Sequence, residues 1–117
     1  FYEIEESQNA RITYMEYASG GTLKEYLYTV KNEGIILHPD EIISWITQIL
    51  LGLKVLHKLK IAHRDIKPDN ILLCENPNHK ESKNKSKMIC KISDLGASKV
   101  TNYADKHTVI GTPFYTA

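Results

Sequence analysis

The chain has 117 residues, enough for one small domain with a modest core, and its 42% hydrophobic and 25% charged residues are ordinary for a globular protein. A formal net charge of +1 offers no bulk electrostatic case for nucleic acid as a partner. Apolar runs are only a few residues long, as in Ile49-Leu50-Leu51 before Gly52, so no stretch reads as a membrane span.

The sequence opens on Phe1 with no charged-then-apolar leader pattern, and it stops after "GTPFYTA". Both ends are expected to be cut from a longer protein. Cys74 and Cys90 are too few for a disulfide scaffold. They are expected to stay reduced, as in a cytoplasmic (or nuclear) protein, and to face each other on neighbouring strands. The histidines are scattered, without metal-ligand spacing.

"FYEIEE" and "RITYMEY" are rich in β-branched and aromatic residues and are separated by the polar "SQNA", which predicts a hairpin. The Gly20-Gly21 pair then breaks the strand, Thr22 is placed to cap, and a short helix follows. Pro39 suits a first helical position, and Asp40 and Glu41 suit the first turn, so a long helix is predicted over 39–59. Ile42, Ile46, Ile49, Leu53 and Leu56 recur at spacings of three and four, which predicts one buried stripe widened by Trp45, Leu50 and Leu51. Lys54, Lys58 and Lys60 gather at the end of this helix.

"ILLC" and "MICKIS" predict two strands. Between them "ENPNHKESKNKSK" holds four lysines and no apolar residue and is expected to be a mobile surface loop. The last stretch, from "DLGASKV" onward, is polar and irregular and reads as a long functional loop.

The chemistry is concentrated in "IAHRDIKPDNILL", a charged run bracketed by apolar residues. It lies between the long helix and a strand, and the strand pair carries the chain on to "SDLG". Asp65, Asn70 and Asp94 are therefore expected to converge. Two carboxylates and an amide oxygen make a hard-oxygen set suited to Mg²⁺. Lys67 adds a positive charge beside the same point, a combination that fits phosphoryl transfer.

The same residues resemble the protein kinase family. "HRDIKPDN" is similar to the family's catalytic loop at every fixed position, and "DLG" stands where the family has D-F-G. "MEYASGGTL" resembles the hinge between lobes, and "GTPFYTA" resembles the approach to A-P-E. Four motifs in the family's order cover nearly the whole chain. Lys67-Pro68 with "GTP" downstream resembles the serine/threonine type, and the hinge and "GTPFYTA" resemble the NIMA-related group.

The resemblance implies an α+β, two-lobed protein-kinase-like fold, of which this chain would be a part. Residues 1–17 would be the last small-lobe hairpin, 18–22 the hinge, and 23–117 the front portion of the helical large lobe. Asp65 would orient or accept the proton of a substrate hydroxyl, Lys67 would offset the γ-phosphate charge, and Thr112 would hydrogen-bond to both. Asn70 and Asp94 would hold the Mg²⁺ that bridges the ATP phosphates. The backbone of Glu16 and Ala18 would face the adenine edge, with Met15 at the back of the pocket, Leu72 under the ring and Leu23 behind Leu72. His63 would pack under the "DLG" turn, against Leu95. Thr108 would be the activating phosphorylation site, set by an upstream kinase or by autophosphorylation, and faced by Arg64 and Lys99.

The implied reaction is transfer of the ATP γ-phosphate to a protein Ser or Thr hydroxyl. The family's Gly-rich loop, strand lysine and helix glutamate have no counterpart in the 117 residues. These residues alone are expected to be inactive, and the parent protein active. The alternative is a pseudokinase or scaffolding module, which would bind nucleotide or protein without catalysis. That reading expects decay at Asp65, Asn70 or Asp94, and all three are intact.

Overall fold

A computed structural model describes residues 3–7, 10–78 and 87–100. Strands β1 (Glu3–Glu6) and β2 (Arg11–Tyr14) pair antiparallel as the expected hairpin, with Glu5 opposite Ile12. Ser7 closes its turn, donating its N–H to the Ala10 carbonyl at 2.8 Å.

The chain then runs through an irregular segment to the Gly20-Gly21 pair. Gly20 donates to the Leu73 carbonyl at 2.8 Å, and Leu73 donates back to the Gly21 carbonyl at 2.9 Å. A Cβ on Gly20 would lie 2.8 Å from that Leu73 oxygen, and Gly21 holds a φ of +66°, so each glycine is required for its own reason.

Helix α1 (Leu23–Asn32) begins at Thr22 with a reciprocal cap. Glu25 N–H donates to Thr22 Oγ1 at 3.1 Å, and Thr22 N–H donates to Glu25 Oε2 at 2.8 Å. Helix α2 (Pro39–Lys58) stops one residue short of the expected end. His38 caps it by accepting the Asp40 N–H at 3.3 Å on Nδ1.

Strand β3 (Ile61–Ala62) follows, then a single 3₁₀ turn at Pro68–Asn70 and strand β4 (Ile71–Glu75). Strand β5 (Met88–Ile92) pairs antiparallel with β4, placing Leu72 opposite Lys91 and Leu73 opposite Cys90. A second 3₁₀ turn at Leu95–Ala97 leads to β6 (Lys99–Val100), which pairs with β3. This two-residue ribbon gives the end of the "DLGASKV" stretch a regular element within what reads as a long loop. The middle of the lysine-rich insert, 79–86, lies outside the described residues.

Leu23, Trp45, Ile71, Leu73 and Met88 form the buried core, with Tyr26 and Ile49 packed against it. Tyr26 meets Trp45 edge-on, ring centroids 5.5 Å apart. The expected stripe on α2 holds in part: Trp45 is 4% exposed and Ile49, Leu53 and Leu56 are half-buried, whereas Ile42 (40%), Ile46 (52%), Leu50 (59%) and Leu51 (56%) are exposed. The side of α2 that meets the strands runs through Trp45, Ile49, Gly52 and Leu56. That line lies roughly 60° round the helix from the expected one at 3.6 residues per turn. α2 is apolar over more than half its circumference, so spacing alone does not choose the buried side.

The two cysteines also need correcting. Cys90 stands opposite Leu73, and Cys74 opposite Ile89. The one-residue offset sends the two thiols to opposite faces of the β4–β5 ribbon. Both are free, and burial pushes the Cys90 thiol up to about 11, which keeps it un-ionised and unreactive near neutral pH.

The outer edge of β5 is closed by a side chain. Gln48 Oε1 accepts the Cys90 N–H at 2.9 Å, and its Nε2 donates to the Met88 carbonyl at 3.4 Å. A strand edge with unpaired backbone groups is thereby satisfied by the helix that covers it. No helix among the described residues is long and apolar enough to cross a membrane.

Candidate active site

The loop after β3 and the end of β5 are tied together by buried polar contacts. His63 is 2% exposed. Its Nε2 lies 2.9 Å from the Ser93 carbonyl, and its Nδ1 accepts the Asp65 N–H at 3.3 Å. Those two contacts place the ring proton on Nε2, donated to Ser93. His63 is thus structural, as expected. It meets the "DLG" turn through Ser93; Leu95, expected against the imidazole, is 37% exposed.

Asn70 is 7% exposed and fastens the loop upon itself. Its Nδ2 donates to the Asp65 backbone carbonyl at 2.8 Å and to Asp65 Oδ2 at 3.0 Å. Lys67 Nζ reaches the same Oδ2 at 2.8 Å, with the two side chains only 20% and 14% exposed. In turn the Asn70 carbonyl accepts the Ser93 N–H at 2.9 Å and the Ser93 hydroxyl at 3.1 Å. The bonds thus join Asp65, Lys67 and Asn70, and they pin Ser93, the residue before Asp94, to Asn70.

Asp94 itself has φ +59° and ψ +75°, a left-handed conformation uncommon outside glycine. Its Oδ1 accepts the Gly96 N–H at 3.1 Å, which stabilises the turn. Arg64 is also left-handed, at φ +67°, between buried His63 and Asp65. Lys99 stands opposite Ala62, at the foot of the same loop.

Beside this cluster lies a cavity of about 660 Å³. Met15, Glu16, Ala18, Leu72 and Asp94, all expected at a nucleotide site, line it. Ile4, Cys74 and Lys91 also line it and were not anticipated. For Lys91 and Cys74 the signal was the strand register: Lys91 pairs with Leu72 and Cys74 lies two residues on, so the three share one face of the β4–β5 ribbon. Lys67, expected at the phosphate end, is not on the cavity wall; it bonds Asp65 instead. Leu23 is in the core, next to the bridge that pairs Thr22 with Leu72. Thr108 and Thr112 lie outside the described residues.

A further ion pair joins the loop to α1. Lys24 Nζ lies 2.6 Å from Asp69 Oδ1 and holds that carboxyl below the usual carboxylate range. Among the described residues no three His, Cys, Asp or Glu side chains cluster as a self-sufficient metal centre. The donor set fits Mg²⁺ nonetheless, because that ion commonly takes one or two protein oxygens and completes its shell with phosphates and water. Asn70 gives its Nδ2 to Asp65, which leaves its amide oxygen for a cation.

The protein kinase domain family matches residues 1–117, the entire chain. Human serine/threonine-protein kinase Nek5 is 39% identical over 103 residues, covering 86% of this chain and 13% of that protein. Zebrafish serine/threonine-protein kinase Nek8 is 40% identical over 116 residues, covering 98% of this chain and 15% of that protein. Human serine/threonine-protein kinase ULK1 is 34% identical over 117 residues, covering 99% of this chain and 11% of that protein. The chain thus spans only 11–15% of the length of these relatives.

Proposed function

The chain belongs to the protein kinase family, and we propose that the full protein is an active serine/threonine kinase that transfers the ATP γ-phosphate to a protein hydroxyl. The observation that carries this reading is the intact, bonded set Asp65–Lys67–Asn70, to which Ser93, the residue before Asp94, is tied through the Asn70 carbonyl.

Asp65 orients the substrate hydroxyl and takes its proton as the oxygen attacks the γ-phosphorus. The bond to the β-phosphate oxygen breaks, and ADP leaves. Lys67 offsets charge on the transferred group, and Thr112 helps to place the hydroxyl. Asn70 and Asp94 would hold Mg²⁺, which would supply charge neutralisation on the phosphates. The base docks in the cavity over Leu72, against the backbone of Glu16 and Ala18. In this reaction the protein contributes mainly position and electrostatics, and a loop pinned at both ends by Asn70 serves that purpose.

The test is phosphate transfer from Mg²⁺–ATP to a Ser/Thr peptide by the full-length protein, wild type and Asp94→Ala. Transfer by wild type, with nucleotide binding and turnover both lost in Asp94→Ala, is the expected result. A full-length protein that binds Mg²⁺–ATP but transfers nothing would be a pseudokinase, and the reading would fall.

A further inference from the structure

We propose that Lys91 is a positioning residue for the nucleotide base: it clamps Glu16 and so fixes the backbone edge at residues 15–18 against which the base docks. This rests on the nucleotide reading of the cavity given above.

Lys91 Nζ lies 2.5 Å from both carboxylate oxygens of Glu16, across 75 positions of sequence. Both residues line the cavity, and Lys91 stands opposite Leu72, the expected floor under the base. Glu16 sits in the irregular segment between the end of β2 at Tyr14 and the Gly20–Leu73 hydrogen bond. That segment has no ladder of its own between these two points, so its path over the cavity depends on side-chain contacts. The Glu16–Lys91 pair supplies one at its middle, tied to a strand whose other edge is held by β4 and whose outer edge is held by Gln48.

The pair is 41% and 54% exposed, so its contribution is modest. Loss of Lys91 has two consequences. The segment is released, and an unpaired Glu16 carboxylate is left at the rim of a site for a polyanionic nucleotide. Release of the segment weakens any ligand that uses the backbone edge; the exposed charge weakens only an anionic one. Adenosine, which is uncharged, separates the two.

The experiment uses the full-length protein as wild type, Lys91→Met, Lys91→Arg, and the charge swap Glu16→Lys with Lys91→Glu. The readouts are KM for ATP, kcat on a Ser/Thr peptide, and the inhibition constant of adenosine. Lys91→Met should raise the ATP KM and the adenosine constant together by about threefold to fivefold, the scale of an exposed ion pair. kcat should change less than about twofold, since the pair does not touch the reacting atoms. Lys91→Arg and the charge swap should bring both constants back to within about twofold of wild type. An adenosine constant unmoved in Lys91→Met would reduce the pair to a surface charge and overturn the inference. A swap no better than Lys91→Met would overturn it as well. If wild type neither transfers phosphate nor binds adenosine, it is the nucleotide reading itself that fails.

Discussion

Asn70 and Asp65 are joined twice, through the Asp65 backbone carbonyl at 2.8 Å and its carboxylate at 3.0 Å, by the same Nδ2 group. One buried amide thus bears on both the path of the 65–70 loop and the direction of the Asp65 carboxylate. Asp65→Asn in the full-length protein keeps the loop's shape and removes the proton acceptor. ATP affinity should stay near wild type while kcat falls by about 10²–10⁴. Binding and turnover measured on the same preparation decide it; wild-type turnover in Asp65→Asn would remove Asp65 from the mechanism.

The amide of Gln48 makes a second prediction. It accepts the Cys90 N–H at 2.9 Å on the edge of β5. Gln48→Leu keeps the size of the side chain and leaves that donor without its partner, at a cost of about 1–3 kcal/mol. Hydrogen exchange at the Cys90 amide in the full-length protein should speed up accordingly. Unchanged exchange there would mean that water or a neighbour satisfies the N–H equally well.

The hairpin, α1 with its Thr22 cap, α2 to within one residue, and the β4–β5 pair were all legible because each is written locally, in propensity, caps and breakers. The contacts among Asp65, Lys67 and Asn70 were legible because these residues are close in sequence. What escaped was long-range. The buried side of α2 depends on which face the strands take, and Ile42 and Ile46 look as buried as Ile49 until Trp45 is seen in the core. Cys74 and Cys90 depend on a one-residue register that no local signal sets. Lys91–Glu16 and Lys24–Asp69 join residues that only the fold brings together.

The capping box at α1 predicts a pH dependence. The Thr22 backbone N–H, and then its hydroxyl, hold the Glu25 carboxyl below its ordinary value of 4.5. A carboxyl whose pKa is lowered on folding stabilises the folded state above its unfolded value. That contribution is lost as pH falls from about 4.5 through the lowered folded value. The stability gap between wild type and Glu25→Gln should therefore be present at neutral pH and close under acid. Thr22→Ala, which removes the other half of the box, should cost about 1 kcal/mol at neutral pH. A gap between wild type and Glu25→Gln that persisted into strong acid would disprove the ionic cap.

The lysine-rich insert is expected to be dispensable for stability. Asn76 N–H donates to the Lys87 carbonyl at 2.9 Å, so the β4–β5 ladder closes between the two ends of the insert. Replacing residues 76–86 by a short Gly-containing turn should shift stability by less than about 1 kcal/mol, because closure entropy changes slowly with length. Thermal melts of the full-length protein check this. A large loss would show that the insert packs against the body.

Arg64 makes the regulatory prediction. It holds a left-handed backbone directly between buried His63 and Asp65, so a partner that fixes Arg64 also constrains the path of Asp65, the proposed catalytic carboxylate. Lys99, opposite Ala62 in the β3–β6 ribbon, brings a second cation to the same end of the loop. By family resemblance Thr108, three residues before Gly111, is the hydroxyl that would be phosphorylated. A phosphate there carries about −1.5 to −2 charges and three acceptor oxygens. Paired bidentately with Arg64, it would order the activation segment and hold Asp65 in its working position. Activity of the full-length protein is to be measured as wild type, Thr108→Ala and Arg64→Ala, with and without phosphatase. Phosphatase should lower wild-type activity and leave both variants, already weak, unchanged. A fully active Thr108→Ala that stayed phosphatase-sensitive would move the switch to another hydroxyl, with Thr101 and Tyr103 the competing candidates.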